Sequence, residues 1–282
     1  MIETVSTVES NHELAPGYRH LVLNFEVEFR ALAGQFAMLR ASQTYEPLLR
    51  RALAIYTKPR PNQASFLYQV LGRGTETLAQ LSSGSKVDAL LPLGNSWTKP
   101  ATQAGGETYP KRAIVVSGGI GSASVLMFCQ QLANSGVETR ILFGAASKAV
   151  AVGCGLEDFQ ALNLDLAITT DDGSLGERGF VTAPLERLLA AGEGTGATVY
   201  ACGPWVMMKR VAEIAARFGC ECIVSLEAPM GCGFGVCVGC VVAMKNQGPG
   251  GRLGYDSYKR VCTDGPVFDA QAIHWDVNAM TH

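Results

Sequence analysis

The chain has 282 residues, 48% of them hydrophobic, and its 23 Lys and Arg against 25 Asp and Glu leave a net charge of −2. That balance excludes intrinsic disorder, which needs low hydrophobicity and high net charge, and offers no basic excess to a nucleic-acid backbone. Charged residues reach only 17% while glycines number 32, against averages of roughly 25% and 7%.

In chain order, Met1 to Glu9 carries neither the basic stretch nor the apolar core of a secretory signal, so a cytoplasmic location is expected. The nine cysteines are then read as thiols rather than disulfides. Leu21, Leu23 and Phe25 alternate as on one face of a strand, and short apolar runs follow at 36–39, 53–56, 66–71 and 87–91. Evenly spaced short strands predict a small antiparallel β-barrel over residues 1–100. Residues 98–112, rich in Thr, Gly, Pro and Gln, read as a connection.

Beyond it, apolar strands at 113–116, 139–143, 164–169, 198–201 and 222–226 alternate with helical patterns. The clearest helix is 205–218, with Val206, Val211, Ile214 and Phe218 at helical spacing. This predicts a doubly wound α/β domain over 111–226. The uncharged stretch 113–137 is long enough to span a bilayer, but Ser117-Gly118-Gly119 interrupts it, so it is read as strand, loop and helix. No membrane span is expected. From Glu227 a Gly- and Cys-rich stretch, with a later turn at Gly248-Pro249-Gly250-Gly251, marks a third module, 227–282.

That module carries the most specific signal. Cys232, Cys237 and Cys240 have C-x4-C-x2-C spacing and Cys262 follows, as in plant-type [2Fe-2S] ferredoxins. Glycines at 231, 233, 235 and 239 accept positive φ and leave no Cβ in the way of a loop wrapping a cluster. A zinc site competes, although only Cys237 and Cys240 form the short C-x2-C knuckle that such sites usually use twice. His12, His20, His274 and His282 all lie outside the cluster, so Rieske ligation is excluded and a low-potential, all-thiolate centre is expected. Cys129, Cys154, Cys220 and Cys222 read as small buried hydrophobes.

Two glycine loops add weaker signals. Ser117-Gly118-Gly119-Ile120-Gly121 joins a strand to a helix, where phosphates meet helix-terminal N–H groups. It falls short of the full dinucleotide fingerprint, because Ser124 holds the third glycine position, and a tight turn explains it as well. Gly72-Arg73-Gly74-Thr75 offers backbone donors, a guanidinium and a hydroxyl, or else an ordinary hairpin.

Taken in order, Gly34-Gln35-Phe36, Arg51 to Ile55, Gly72 to Thr75, Pro92 to Asn95, Gly118 to Gly121, Thr170 to Ser174, Gly179 to Thr182, Cys202-Gly203-Pro204 and Val261 to Phe268 resemble the ferredoxin reductase superfamily. More closely, they are similar to the electron-transfer subunits of dihydroorotate dehydrogenases, which append a [2Fe-2S] domain. The resemblance implies a flavin-binding barrel, a nucleotide-binding domain and a C-terminal cluster module. It further implies FAD held by Arg51, Ala52, Leu53, Ala54, Gly72, Gly74 and Thr75, and NAD(H) at Gly118, Gly119, Gly121, Gly203 and Pro204. Cys202 would lie beside the nicotinamide, and Cys232, Cys237, Cys240 and Cys262 would bind the cluster. An FMN-containing dihydroorotate dehydrogenase catalytic subunit would be the partner, in a heterotetramer serving pyrimidine biosynthesis. The chain departs from the resemblance at Ala52 and Ala54, where the flavin motif carries Pro and Ser, and at Ser124, where relatives carry Pro. Alternative readings are a reductase subunit of another oxidoreductase, or a non-catalytic zinc-bound interaction protein.

Overall fold

The computed structural model describes residues 1–41, 46–100, 107–245 and 254–277. The Gly248–Gly251 turn and part of the 98–112 connection lie outside the described residues. Among the described residues no helix is long and apolar enough to cross a membrane.

Six strands form the first sheet: β1 (Ile2–Ala15), β2 (Tyr18–Phe25), β3 (Phe36–Arg40), β4 (Arg51–Ala54), β5 (Gln63–Gln69) and β6 (Lys86–Leu93). Their order is β4-β3-β6-β1-β2-β5, with antiparallel pairing throughout. A bridge between Thr57, just past β4, and Ser65 of β5 brings the two edges together into a nearly closed barrel. Leu21, Leu23, Phe66, Val87 and Ala89 are buried inside it. A short helix, α1 (Arg73–Ala79), begins within the 72–75 segment, so this is a helix start rather than a hairpin turn. The two-residue strands β7 (Lys99–Pro100) and β8 (Glu107–Thr108) pair across the connection.

The second sheet holds β9 (Arg112–Gly118), β10 (Glu138–Ala145), β11 (Asp165–Thr170), β12 (Glu177–Arg178), β13 (Thr198–Cys202) and β14 (Glu221–Ser225). All are parallel, in the order β12-β11-β10-β9-β13-β14. Helices α2 (Ser122–Asn134), α3 (Lys148–Gly153), α4 (Leu156–Gln160), α5 (Thr182–Ala190) and α6 (Trp205–Arg217) make the crossovers. The uncharged stretch is therefore β9, a 3-10 turn over Gly119–Gly121, and α2. On α6 the buried face is Met208, Val211, Ala212, Ile214 and Ala215, whereas Val206 and Phe218 are exposed. The apolar spacing located the helix but misassigned two of its four contacts.

The C-terminal stretch contributes a hairpin, β15 (Val241–Ala243) with β16 (Tyr258–Arg260), and then β17 (Val267–Asp269). β17 joins the parallel sheet as an antiparallel edge strand on β14. The segment before β17 is tied to the barrel by one side chain. Asn95, just past β6, donates from Nδ2 to the carbonyls of Asp264 (3.1 Å) and Val267 (2.8 Å), and its Oδ1 accepts the Val267 N–H (2.9 Å). Gly94 beside it holds φ +77°, and a Cβ there would stand 2.5 Å from Pro266.

With each such hydrogen bond worth about 0.5–1.5 kcal/mol, Asn95→Ala is expected to lower stability by about 2 to 4 kcal/mol. Urea denaturation measures this, and an unchanged midpoint would count against the tie.

Candidate functional site

Where β9 and β13 lie side by side, the strand order reverses, which makes their C-terminal ends the switch point where doubly wound sheets bind ligands. The two ends pack closely. A Cβ on Gly121 would meet the Cys202 carbonyl at 2.4 Å, and one on Gly203 the Gly118 carbonyl at 2.9 Å. A Cβ on Gly118 would strike Met207 at 2.3 Å and Pro204 at 3.1 Å. Internal packing thus accounts for three of the predicted glycines, while Gly119, at φ +53°, faces open space.

Beside the switch point opens a cavity of about 460 Å³. Its barrel wall comprises Arg51, Ala52, Leu53, Ala54 and Thr75, five of the residues singled out in the sequence. Ile120, Ser124, Cys202 and Ser225 form the opposite wall, and Glu227, Met230 and Pro266 bound the side leading to the cysteine loop. Arg51 is placed by its surroundings: its Nη1 donates to the Leu49 carbonyl (2.7 Å), and a Cβ on Gly74 would lie 2.0 Å from its Nε. Gly74 is therefore the residue that lets the guanidinium lie against α1. Gly72, by contrast, is in open space and extended. A guanidinium and small apolar side chains around such a volume suit a ligand joining a phosphate to a planar ring.

Cys202 is 1% exposed, and burial first, then the Glu227 charge, push its thiol up from the ordinary range. It stays protonated at neutral pH, which fits a neutral neighbour rather than a nucleophile. Its partners Ser124 and Ser225 were not assigned roles from the sequence, since nothing local in either marks it as lining a cavity.

The four cysteines stand as two pairs. The Cys237 N–H donates to the Cys232 sulfur at 3.5 Å, and the Val261 N–H donates to the Cys240 carbonyl at 2.7 Å, which brings Cys262 beside Cys240. Although burial opposes it, the peptide N–H groups of Cys237, Phe234 and Val236 bring the Cys232 thiol down to about 6. Burial and the adjacent Cys240 push Cys262 up to about 12. Among the described residues no three His, Cys, Asp or Glu side chains converge as a single ion requires. Paired thiols suit a two-iron centre, in which each iron takes two of the four ligands, better than one tetrahedral zinc.

The loop differs from expectation in one respect. Gly233 and Gly235 take positive φ, +83° and +88°, but Gly231 and Gly239 do not, and Val238 adopts φ +55° instead. Gly233 also lets the loop lie on the barrel, since a Cβ there would stand 2.5 Å from Met38.

Residues 227–274 match the model of the iron–sulfur cluster binding domain of dihydroorotate dehydrogenase B. The electron transfer subunit of dihydroorotate dehydrogenase B (NAD(+)) from Desulforamulus reducens is 35% identical over 87% of this chain and 88% of its own. Those from Streptococcus mutans and Geobacillus thermodenitrificans are 33% and 40% identical, covering 96% and 84% of this chain and 97% and 84% of theirs. Among solved structures, an NADH-dependent reduced ferredoxin-NADP oxidoreductase shares the fold with a TM-score of 0.78 at 24% identity, over 96% of this chain and 90% of that one. The ferredoxin reductase of carbazole 1,9a-dioxygenase does so at a TM-score of 0.66 and 19% identity, over 78% and 66%.

Reconstituted under argon with iron and sulfide, the chain is expected to take up about two irons and two sulfides. Cys262→Ser should reduce both by more than half and Cys220→Ser should change neither, as read by colorimetric iron and acid-labile sulfide assays.

Proposed function

The chain belongs to the electron-transfer subunits of dihydroorotate dehydrogenase B, and from that membership we propose which of its residues carry electrons between a catalytic subunit and NAD(H). Flavin exchanges electrons in pairs or singly and a [2Fe-2S] centre only singly, so the two together convert between nicotinamide and one-electron chemistry. We assign residues 1–100 to FAD, 111–226 to NAD(H) and 227–282 to the cluster.

Arg51 would hold the FAD pyrophosphate as a planar, permanently charged donor. Ala52, Leu53 and Ala54 would lie along the ring, with Gly72, Gly74 and Thr75 completing the phosphate side. Gly118, Gly119, Gly121, Gly203 and Pro204 would shape the NAD(H) approach at the switch point. Cys202 would stand beside the nicotinamide as a neutral thiol. Cys232, Cys237, Cys240 and Cys262 would ligate the cluster.

One observation carries this reading: a single cavity is bounded by the Arg51 strand, by the end of β13 at the switch point, and by Glu227 and Met230 leading into the cysteine loop. On this reading the two-electron site would open toward the segment that leads to the one-electron site. The partner would be an FMN-containing catalytic subunit in a heterotetramer, with electrons leaving dihydroorotate for NAD+. Exposed Phe234, Val236 and Val238 on the cysteine loop support docking at that face.

Purified anaerobically, the chain should be brown-yellow, release FAD, and bleach on addition of NADH. With the catalytic subunit it should form NADH in proportion to dihydroorotate consumed. A colourless protein with stoichiometric zinc would falsify the reading. Arg51→Ala should weaken FAD binding about 10- to 100-fold, the loss of a charge-assisted contact of roughly 1.5–3 kcal/mol. Titration of flavin fluorescence reads this, and the iron content should not move.

A further inference from the structure

Arg260 ends β16, two residues before Cys262, and is half-buried. Its Nη1 donates to the Gly235 carbonyl at 3.1 Å, and its Nε lies 3.5 Å from the Asp264 carboxylate. The same carboxylate oxygen accepts the Arg260 N–H at 2.7 Å, and the Arg260 carbonyl accepts the Asp264 N–H at 2.8 Å. The turn that carries the last cysteine is thus closed on itself, and its guanidinium reaches across to the loop that carries the first three. Gly235 makes room for that contact. A Cβ there would stand 2.9 Å from Thr263 and 3.2 Å from the Arg260 guanidinium, and its φ is +88°.

The peptide that Arg260 grips has a second end. The Gly235 carbonyl and the Val236 N–H belong to one planar trans unit, so they point in opposite directions, and the Val236 N–H is one of those directed at the Cys232 sulfur. One unit earlier, the Gly235 N–H is directed at the Cys262 sulfur. Holding the Gly235 carbonyl therefore aims one donor at each cysteine pair. A hydrogen bond from a guanidinium is charge-assisted, and hydrogen bonds in series polarise one another. The contact thus also strengthens the Val236 N–H as a donor.

Donors on the cysteine sulfurs favour the reduced form of an iron–sulfur centre, because reduction adds negative charge there. Building on the electron-transfer reading above, the geometry points to Arg260 as the positioning residue that sets how readily the cluster is reduced. Acting through the 235–236 peptide, it holds N–H groups on the Cys232 and Cys262 sulfurs and raises the potential. Its charge is balanced by Asp264, so the carbonyl contact, and not a free positive charge, carries the effect.

In the test, the full chain reconstituted with FAD, iron and sulfide under argon is poised at a series of potentials, and EPR reads the fraction of reduced cluster. Arg260→Met keeps the packed stem and removes the donors. At the potential that half-reduces the unaltered cluster, its ratio of reduced to oxidised cluster should fall about tenfold, which for a one-electron couple is a midpoint about 59 mV lower. Iron, sulfide and FAD contents should not change. Combining Arg260→Met with Asp264→Asn removes both charges and leaves the net charge as it was, and this variant should keep most of the fall. Arg260→Lys keeps the charge but offers a point donor where a fork spans two acceptors, so its ratio should fall about threefold. An unchanged midpoint in Arg260→Met overturns the assignment, and so does full recovery in the double variant, which would make the effect one of charge alone. If the Met variants do not retain iron, Arg260→Lys decides, and the original midpoint in it is the overturning result. An unaltered chain that takes up no iron, or gives no signal on reduction, would instead overturn the cluster reading, so the two failures are distinct.

Discussion

The arrangement depends on how Asn95 holds the free side of the last strand. Just past β6, its side chain donates to the Asp264 carbonyl and, at Val267, the first residue of β17, donates to the carbonyl and accepts the N–H, as a neighbouring strand would. Its own N–H donates to the Gly265 carbonyl at 2.7 Å. Buried peptide groups without partners are costly, so this contact fixes the end of the barrel, the last cysteine and the edge of the parallel sheet at one point. From the same segment, Pro266 lines the cavity.

A second constraint is electrostatic. The cysteine loop turns several peptide N–H groups toward Cys232, while Cys262 is buried against another thiol. Cys232 is thus prepared for negative charge by the backbone, whereas burial and the neighbouring thiol hold Cys262 above the ordinary thiol range. The positive φ of Val238 belongs to the same wrapping, where a β-branched residue takes a conformation that glycine adopts more cheaply. Val238 is exposed, as is Val236.

What could be read from the sequence was local. Apolar runs located most barrel and parallel strands because each buries its side chains against a core, and the cysteine spacing is a property of one loop. β1 was missed because its length is polar: Ser6 and Val8 are its only buried residues, and pairing to β2 and β6 along its backbone holds it in place. α1 was missed because seven residues are too few to show a period. Ser225 was passed over since its relation to Ser124 comes from folding across about a hundred residues of chain. Of the glycines singled out, Gly118, Gly121 and Gly203 lie at the switch point, where the structure gives their small size an internal cause.

Strand β17 has a consequence for how such a chain can change over time. It covers the outer edge of β14, which would otherwise present unpaired backbone groups to other molecules. The segment that follows the last cysteine is thus also the guard of a sheet it does not otherwise resemble. A lineage that dispensed with the metal centre by deleting its module would inherit a bare, aggregation-prone border, so inheritance favours keeping that tail even where its redox role has lapsed.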